Sequence, residues 1–534
     1  MCLVVSVVVA ESRAYGEFVY VPDHYPTIQG AIDAAHDGDM VIVRAGTYVE
    51  NIDFLGKAIT VRSESGPHLT VIDGSKKGTV VSFVKGEAAA CVLEGFTIRN
   101  GIGTDLTGYG YYAGGGVLCL DSSPTIIGNV FVNNACVGGY GGGLLARGSS
   151  SRIVGNLFAG NSAFGGGGLS TQASACTVMD NEFDGNVAKY GGGISAAGDS
   201  SWIGGNKVVY NRAYDVGGGV FVANGAGTVI IYNDIRGNLA EHDGGGIRSA
   251  DGGFPAIVNN MVSGNEALYN GGGVSIGYEA PARIANNTVI GNVAGKDGGG
   301  ISVCPGCSGT IVGNSVLWSN SAPRGAEIAL EFEYGWGPSE LSLAYCDVAG
   351  GTQAAYVEQG CVLNWGPGMV DGDPLFADAG SGDYHLRYDS PCRDSGYSYT
   401  PSPATDFEGD PRTAEGSIDI GADEVYPHLY HAGSAVPGGA VTIKVVGRPG
   451  ASALLGLGAG VQDPPQTTPY GGLYLEWPIG RFRLGTIGSD GVLRYPATAP
   501  AFWLPGENKP LQVLLGAVGN SSPVLTNLHV LVVE

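Results

Sequence analysis

The chain is poor in charge. Only 14% of its 534 residues are Asp, Glu, Lys or Arg, and the charge present is lopsided: 27 basic against 50 acidic side chains, a formal net charge of −23. Such an acidic surface repels phosphate backbones, which argues against a nucleic-acid partner. Histidine is scarce, with eight in all, and His24, His36, His68, His385, His428, His431 and His529 fall at spacings that form no metal-ligand set. Beyond the first ten residues no apolar run approaches the ~20 residues of a membrane helix, so no transmembrane segment is expected. The 93 glycines lack the three-residue period of collagen. Hydrophobic residues make up 44% of the chain, far more than a disordered glycine-rich linker carries. The glycines must therefore serve backbone geometry inside a packed structure.

Residues 1–10 read MCLVVSVVVA and are followed by the small-residue pattern Ser12-Arg13-Ala14. This is the form of a secretory h-region and cleavage zone, without a basic n-region, and it places a signal peptide over residues 1–16. The competing reading is a buried first strand. Export implies a secreted or cell-surface protein. Of the ten cysteines, Cys2 would leave with the signal. Cys304-Pro305-Gly306-Cys307 is a single CxxC with no second pair, so a local disulfide or two packed thiols is expected there rather than zinc.

What the chain has in abundance is repetition. Gly-Gly-Gly followed by an aliphatic recurs eight times, with the last glycine at Gly116, Gly143, Gly168, Gly193, Gly219, Gly246, Gly273 and Gly300. Between triplets runs Asn-x4-Asn, at Asn129/Asn134, Asn156/Asn161, Asn181/Asn186, Asn206/Asn211, Asn233/Asn238, Asn260/Asn265 and Asn287/Asn292. A fixed period of about 26 residues means a repeat architecture. Helical repeats are excluded because each glycine costs about 1 kcal/mol inside a helix. Propeller blades need about 40 residues or more. What remains is an all-β solenoid whose coils hold three short strands and three turns, with Val, Ile and Leu stacked inside and asparagines laddered coil on coil about 4.8 Å apart.

Segments such as Asn156-Leu157-Phe158-Ala159-Gly160-Asn161 and Asn181-Glu182-Phe183-Asp184-Gly185-Asn186 resemble the Gly-Gly-aliphatic and Phe-x-x-Asn repeats of polymorphic outer-membrane proteins, over roughly residues 110–325. Residues 25–62 resemble the start of pectin-lyase-like β-helices. There Thr27 N-caps a short helix with Ile28, Ala31, Ile32 and Ala35 on one face, and strands at residues 40–43, 45–48 and 59–61 follow. The resemblance implies a right-handed parallel β-helix over 17–425 with a helix covering its first coil.

Asp373-Pro374-Leu375-Phe376, Asp383-Tyr384-His385-Leu386, Ser390-Pro391-Cys392 and Asp419-Ile420-Gly421-Ala422-Asp423-Glu424 resemble the closing segment of exported bacterial β-helix proteins. Asp406, Asp410 and Asp419 lie in this acidic stretch. They are the candidate ligands for Ca²⁺, the one cofactor the sequence suggests, and the alternative is turn carboxylates bonded to backbone N–H groups. Residues 426–440 read as a Pro/Gly linker. Alternating apolar residues across 441–534 predict a small β-sandwich, similar to a C-terminal domain of exported bacterial proteins.

The motifs that polygalacturonases, alginate epimerases and pectin esterases use on such a fold are absent: Asn-Thr-Asp with Gly-His-Gly, Asp-Pro-His-Glu and Gly-Arg-Pro-Trp. Fold resemblance therefore carries no reaction. One column does vary in a chemically suggestive way. Four positions before each last glycine stand Tyr112, Gly139, Phe164, Lys189, Asp215, His242, Tyr269 and Lys296, with Tyr140, Tyr190, Asp243, Asn270 and Asp297 next to them. A turn serving the fold alone repeats one residue type, and this one does not. His242, Asp243, Lys296 and Asp297 are the candidate catalytic set, and Lys189, Tyr190, Asp215 and Tyr269 the candidate ligand-binding set. A solvated polar turn accounts for the polarity of the column but less well for its aromatics. Three functions fit: a non-catalytic surface β-helix contacting a polysaccharide or cell-surface glycan, a polysaccharide lyase or glycosidase acting on an acidic polymer, and a structural envelope protein. Oligomeric state is not legible.

Overall fold

The computed structural model describes residues 16–425 apart from 109–111, 199, 225–226, 334, 399–402 and 413–416, and beyond them the backbone of strands between Leu429 and Val532. The proposed signal peptide, but for Gly16, lies outside the described residues. So does most of the proposed linker. From Phe18 onward the chain winds as a parallel β-solenoid. Three long parallel sheets of 14, 12 and 12 strands form its main faces. The middle coils also contribute to a fourth, nine-stranded sheet, mostly parallel with one antiparallel pair at its start, and so hold four short strands rather than three. One such coil runs Arg152–Val154, Leu157–Ala159, Ser162–Gly165 and Leu169–Gln172. The extra strand occupies the stretch between the second asparagine and the glycine triplet, where the sequence pattern suggests only a turn.

Parallel pairing puts each residue against its own counterpart one repeat away, and the interior follows from that. Ile126, Ile153, Val178, Ile203, Ile230, Ile257 and Ile284 form one fully buried column. Phe131, Phe158 and Phe183 form another. Their rings stack at 4.5 and 4.7 Å within 6° of parallel, close to the spacing between strands. The glycine triplet leaves no room for side chains. Gly141 sits at φ +70°, a conformation L-residues rarely adopt. A Cβ on Gly142 would lie 2.3 Å from the carbonyl oxygen of Gly167 in the next coil.

The asparagines form two continuous ladders in buried turns. Asn233 is typical. Its Nδ2 donates to Asn260 Oδ1 (2.9 Å), Ile203 O (2.9 Å) and Ile231 O (3.0 Å), and its backbone N–H donates to the same Asn260 oxygen. Each amide thus satisfies backbone groups of two coils that a turn leaves unpaired. The second ladder passes through Asn292 to Asn320 and ends on Glu327, whose carboxylate accepts from both N and Nδ2 of Asn320.

The first coil is covered as the sequence predicts. The helix Ile28–Ala34 is capped by Thr27 Oγ1, which accepts from Gly30 N, and it buries Ile28, Ala31 and Ile32. Glu50 adds a carboxylate at its start, accepting from the N–H groups of Ile28 and Gln29.

At the far end the chain does not simply leave. After the last rung, the described residues of 370–425 fold back along the outside of the solenoid as a strap. Gly421 N donates to Asn314 O, Ala422 N to Thr288 Oγ1 and Asn259 Nδ2 to Thr405 O. These anchors tie the strap to three successive coils. Arg412, 1% exposed, fixes the strap by donating to Asn259 Oδ1, Gly421 O and Ala422 O. The described strands after Leu429 pair antiparallel with one another, as in Ala440–Val446 with Val492–Thr498. No described helix is long and apolar enough to cross a membrane.

Two consequences are measurable. Asn233→Ala strips buried carbonyls and an amide of their partners, and should lower unfolding free energy by about 1–3 kcal/mol in denaturant titration. Burial pushes the Glu327 carboxyl up to about 7, against the two bonds from Asn320. The folded state therefore holds this proton more tightly than the unfolded chain does. Its stabilising contribution is complete below the ordinary carboxyl range and is lost as pH rises through about 7. Glu327→Gln removes that titration while matching only one of the two Asn320 bonds. Its unfolding free energy should be lower at acid pH but fall less steeply between about pH 5 and about pH 8 than that of the parent.

Candidate functional site

The variable column lies where the fourth sheet meets the third. Lys189 and Tyr190 sit in Val187–Tyr190, and Asp215 in Arg212–Val216. In later coils the strand shortens to Leu239–Ala240, Glu266–Ala267 and Val293–Ala294. His242, Asp243, Tyr269 and Lys296 therefore stand in the turn just after it. Register is kept throughout: His242 N donates to Asp215 O, Tyr269 N to His242 O and Lys296 N to Tyr269 O, at 2.8 to 3.0 Å. The predicted row is a physical row.

Its first half is aromatic. Tyr140, Phe164, Tyr190 and Phe221 follow one another at centroid distances of 5.8, 5.3 and 5.6 Å. The Lys189 ammonium lies 4.9 Å over Tyr190 and 5.6 Å over Phe164, and it stands 3.7 Å from Asp215. Further along, the exposed rings of His242 and Tyr269 stack 4.6 Å apart at 8°. Tyr269 keeps 48% of its surface open to solvent.

The second half is a cluster of charge. Asp243, Asn270, Asp297 and Arg324 occupy the same position in four successive coils, with Asn270 bridged to Asp297 and Asp297 to Arg324. Asp297 is fully buried. Arg324 grips it with Nε and Nη2, each 2.5 Å from a carboxylate oxygen, and Lys296 Nζ lies 3.0 Å from it. With both oxygens so held, Asp297 fixes the two cations in place and is not exposed to a ligand. Arg324 also donates to Tyr356 Oη and packs over that ring.

Glu331 completes the group. Its Oε2 accepts from Asn270 Nδ2 at 3.5 Å and lies 3.8 Å from Lys296 Nζ. Its Oε1 and the Oδ1 of Asn270 are buried without a hydrogen-bond partner among the described residues. Burial pushes the Glu331 carboxyl up to about 7, with Lys296 opposing and the charges of Asp297 and Asp243 adding. Burial also opposes the charge on Lys296, but Asp297 and Glu331 more than offset it and hold the amine above its ordinary value. On the other side Asp243 lies 3.4 Å from the buried guanidinium of Arg248, which donates to Ser275 Oγ and to Cys304 Sγ.

Of the eight column candidates, the structure thus joins Asp243, Lys296 and Asp297 in one cluster and places His242 and Tyr269 as a stacked pair beside it. Lys189, Tyr190 and Asp215 form a separate group earlier on the same row. Sequence reading missed Arg324, Glu331 and Arg248. Arg324 was reachable, since it lies 27 residues after Asp297 as Asp297 does after Asn270; the triplet there has decayed to a single glycine, Gly325. Glu331 carries no such signal.

The CxxC holds two free, buried thiols: Cys304 takes the Arg248 bond, and Cys307 lies beside Thr310 Oγ1.

Two of the proposed ligands in the acidic strap spend their carboxylates on its own backbone. Asp406 accepts from the N–H groups of Glu408, Asp410 and Glu424, and Asp419 from those of Asp394 and Val425. Asp410 is buried beside them. Three amide donors on Asp406 and two on Asp419 give this loop the geometry of a carboxylate-stapled turn. The strap does bring together a group that linear spacing hides. His385 Nδ1 lies 2.5 Å from Asp383 Oδ1, and its Nε2 lies 2.8 Å from Glu408 Oε2. Ligand atoms of His385, Glu408 and Asp423 fall within 4.8 Å of one another. Burial opposes the charge on this imidazole, but Glu408 and Asp383 hold its pKa well above the ordinary value.

No curated protein sequence matches the chain. Among solved structures, a mutant of a periplasmic alginate epimerase is similar at 12% identity over 67% of this chain and 84% of its own, with a TM-score of 0.40. The enzymatically active domain of tailspike protein 4 of bacteriophage CBA120 is similar at 9% identity over 93% of this chain and 64% of its own, with a TM-score of 0.18. The family model described as right handed beta helix region matches residues 190–317, and the stack of coils is a right-handed parallel β-helix.

Proposed function

We propose that this is an exported β-helix protein that holds a glycan along the row running from Tyr140 to Lys296. The observation that carries the reading is the His242–Tyr269 stack, two exposed rings in coil-on-coil register, with Lys296 in the next coil and Lys189 two coils before His242. Aromatic faces pack against the apolar faces of sugar rings, while ammonium groups bind hydroxyls or uronate carboxylates. A row of such groups suits a linear polymer better than a small ligand, because each coil adds one weak contact. Export is proposed from the apolar leader in the sequence. In this reading the cluster around Glu331 closes one end of the binding row, and the protein binds without turnover.

A second reading rests on Glu331 itself. Its carboxyl, pushed up to about 7 by burial, stands 3.8 Å from the Lys296 ammonium. A carboxyl raised toward neutrality by burial, with a cation beside it, is suited to proton transfer on a sugar. Glu331 would then be the proton donor or acceptor, Lys296 the cation that neutralises a uronate carboxylate, and Asp297 and Arg324 positioning residues.

One set of measurements separates the readings. His242→Ala combined with Tyr269→Ala should weaken binding to an acidic-polysaccharide array about tenfold or more, at about 0.5–1.5 kcal/mol per stacked ring. Equal binding by parent and double variant would reduce the row to an ordinary solvated surface. If the parent yields unsaturated or reducing-end products, Glu331→Gln should slow their release by about 10²- to 10⁴-fold with binding retained. No product from the parent leaves the binding reading standing alone.

A further inference from the structure

The second cluster lies on another face, between the strap and the second sheet of the solenoid. A pocket of ≈ 210 Å³ opens there, walled by Asp234, Arg236 and Ser263 from the coils and by His385, Glu408 and Asp423 from the strap. Arg236 and Asp234 pair with each other at 3.2 Å.

Three features of the cluster point the same way. The ring of His385 is oriented by Asp383 at Nδ1, which leaves Nε2 facing the pocket side of the group toward Glu408. A carboxylate behind the distal nitrogen of a histidine is the arrangement that fixes the tautomer and rotation of a metal-bound imidazole. Asp423 is itself held, with Oδ2 accepting from Leu386 N at 2.7 Å, so the carboxylate enters the cluster already oriented. Asp383, Glu408 and Asp423 bring three carboxylates to one imidazole in a partly buried site.

We propose that His385 Nε2, Glu408 and Asp423 bind a divalent transition ion of the zinc class, with Asp383 as the positioning residue and the pocket supplying the remaining coordination position. One nitrogen and two oxygen donors with an open position fit Zn²⁺, whereas an all-oxygen set would fit Ca²⁺ or Mg²⁺. The ion would join two stretches of the strap, at His385 and at Glu408–Asp423, and so lock the strap as a unit on the solenoid. On binding, the proton shared between His385 and Glu408 leaves to solvent and the metal takes its place.

The test uses the full chain, stripped of metal by chelation and titrated with ZnCl₂ by calorimetry, with CaCl₂ as the contrast. One equivalent of Zn²⁺ should bind, raise the melting temperature and bind far more tightly than Ca²⁺. His385→Ala and Glu408→Gln should abolish that heat, and Asp383→Asn should weaken binding by about 10- to 100-fold. Should His385→Ala fail to fold, Glu408→Gln and Asp383→Asn decide the matter, each checked for a native circular-dichroism spectrum. The Co²⁺-loaded parent should in addition show visible d–d bands that Glu408→Gln loses. No Zn²⁺ bound by the parent would overturn the proposal, as would one equivalent bound with equal affinity by Glu408→Gln. The group would then be a histidine held by two carboxylates through a proton.

Discussion

The structure depends on register. In a parallel stack each residue is paired with its own counterpart 25 to 28 positions away through most of the repeats, and a slip of one residue would turn every buried side chain outward. The two asparagine ladders prevent that slip. The Asn233 amide binds the next asparagine, a carbonyl of its own coil and a carbonyl of the previous coil. It therefore fits only when three coils are aligned. Interior aliphatics supply most of the free energy of burial but are interchangeable in shape. The amides supply the alignment.

A ladder has two ends, and the chain treats them differently. At the start a helix covers the first coil and Thr27 and Glu50 satisfy the helix's own N–H groups. At the far end the second ladder is closed by Glu327, a buried carboxylate that accepts both donors of Asn320. A glutamate there costs desolvation, which is why its pKa rises. The charge is tolerated because no further coil offers an amide oxygen in that place. The strap then folds back over the outer turns, so the last coils gain cover along their side as well as at their end.

How much of this was legible beforehand follows from which residues repeat. The solenoid, the ladders, the glycine triplets and the helical cover are all written in residues that recur or in local caps, and they were readable. The fourth strand was not, because its residues vary from coil to coil: variation reads as a turn, yet backbone pairing needs no particular side chain. Asp243, Lys296 and Asp297 were visible as departures from a repeating position. Glu331 was not, since nothing in linear spacing places it beside Asn270. His385 and Glu408 likewise meet only because the strap returns along the solenoid, and a fold-back of that kind leaves no period in the sequence.

The division of labour between constant and variable positions also explains why a site can exist on so repetitive a scaffold. Coil energetics are close to additive, each coil depending on its neighbours. A buried Glu331 and an unsatisfied Asn270 oxygen therefore burden two or three coils and leave the rest of the stack untouched. Arg324 and Lys296 are committed to holding Asp297, which in turn keeps both cations beside Glu331. The row leading to them is spaced by the strand repeat, about 4.8 Å per step, and that spacing is set by the backbone rather than by any side chain in the row. Substitution along the row can therefore alter what is recognised without altering where it is held, and the ladder beneath keeps the geometry while the surface changes.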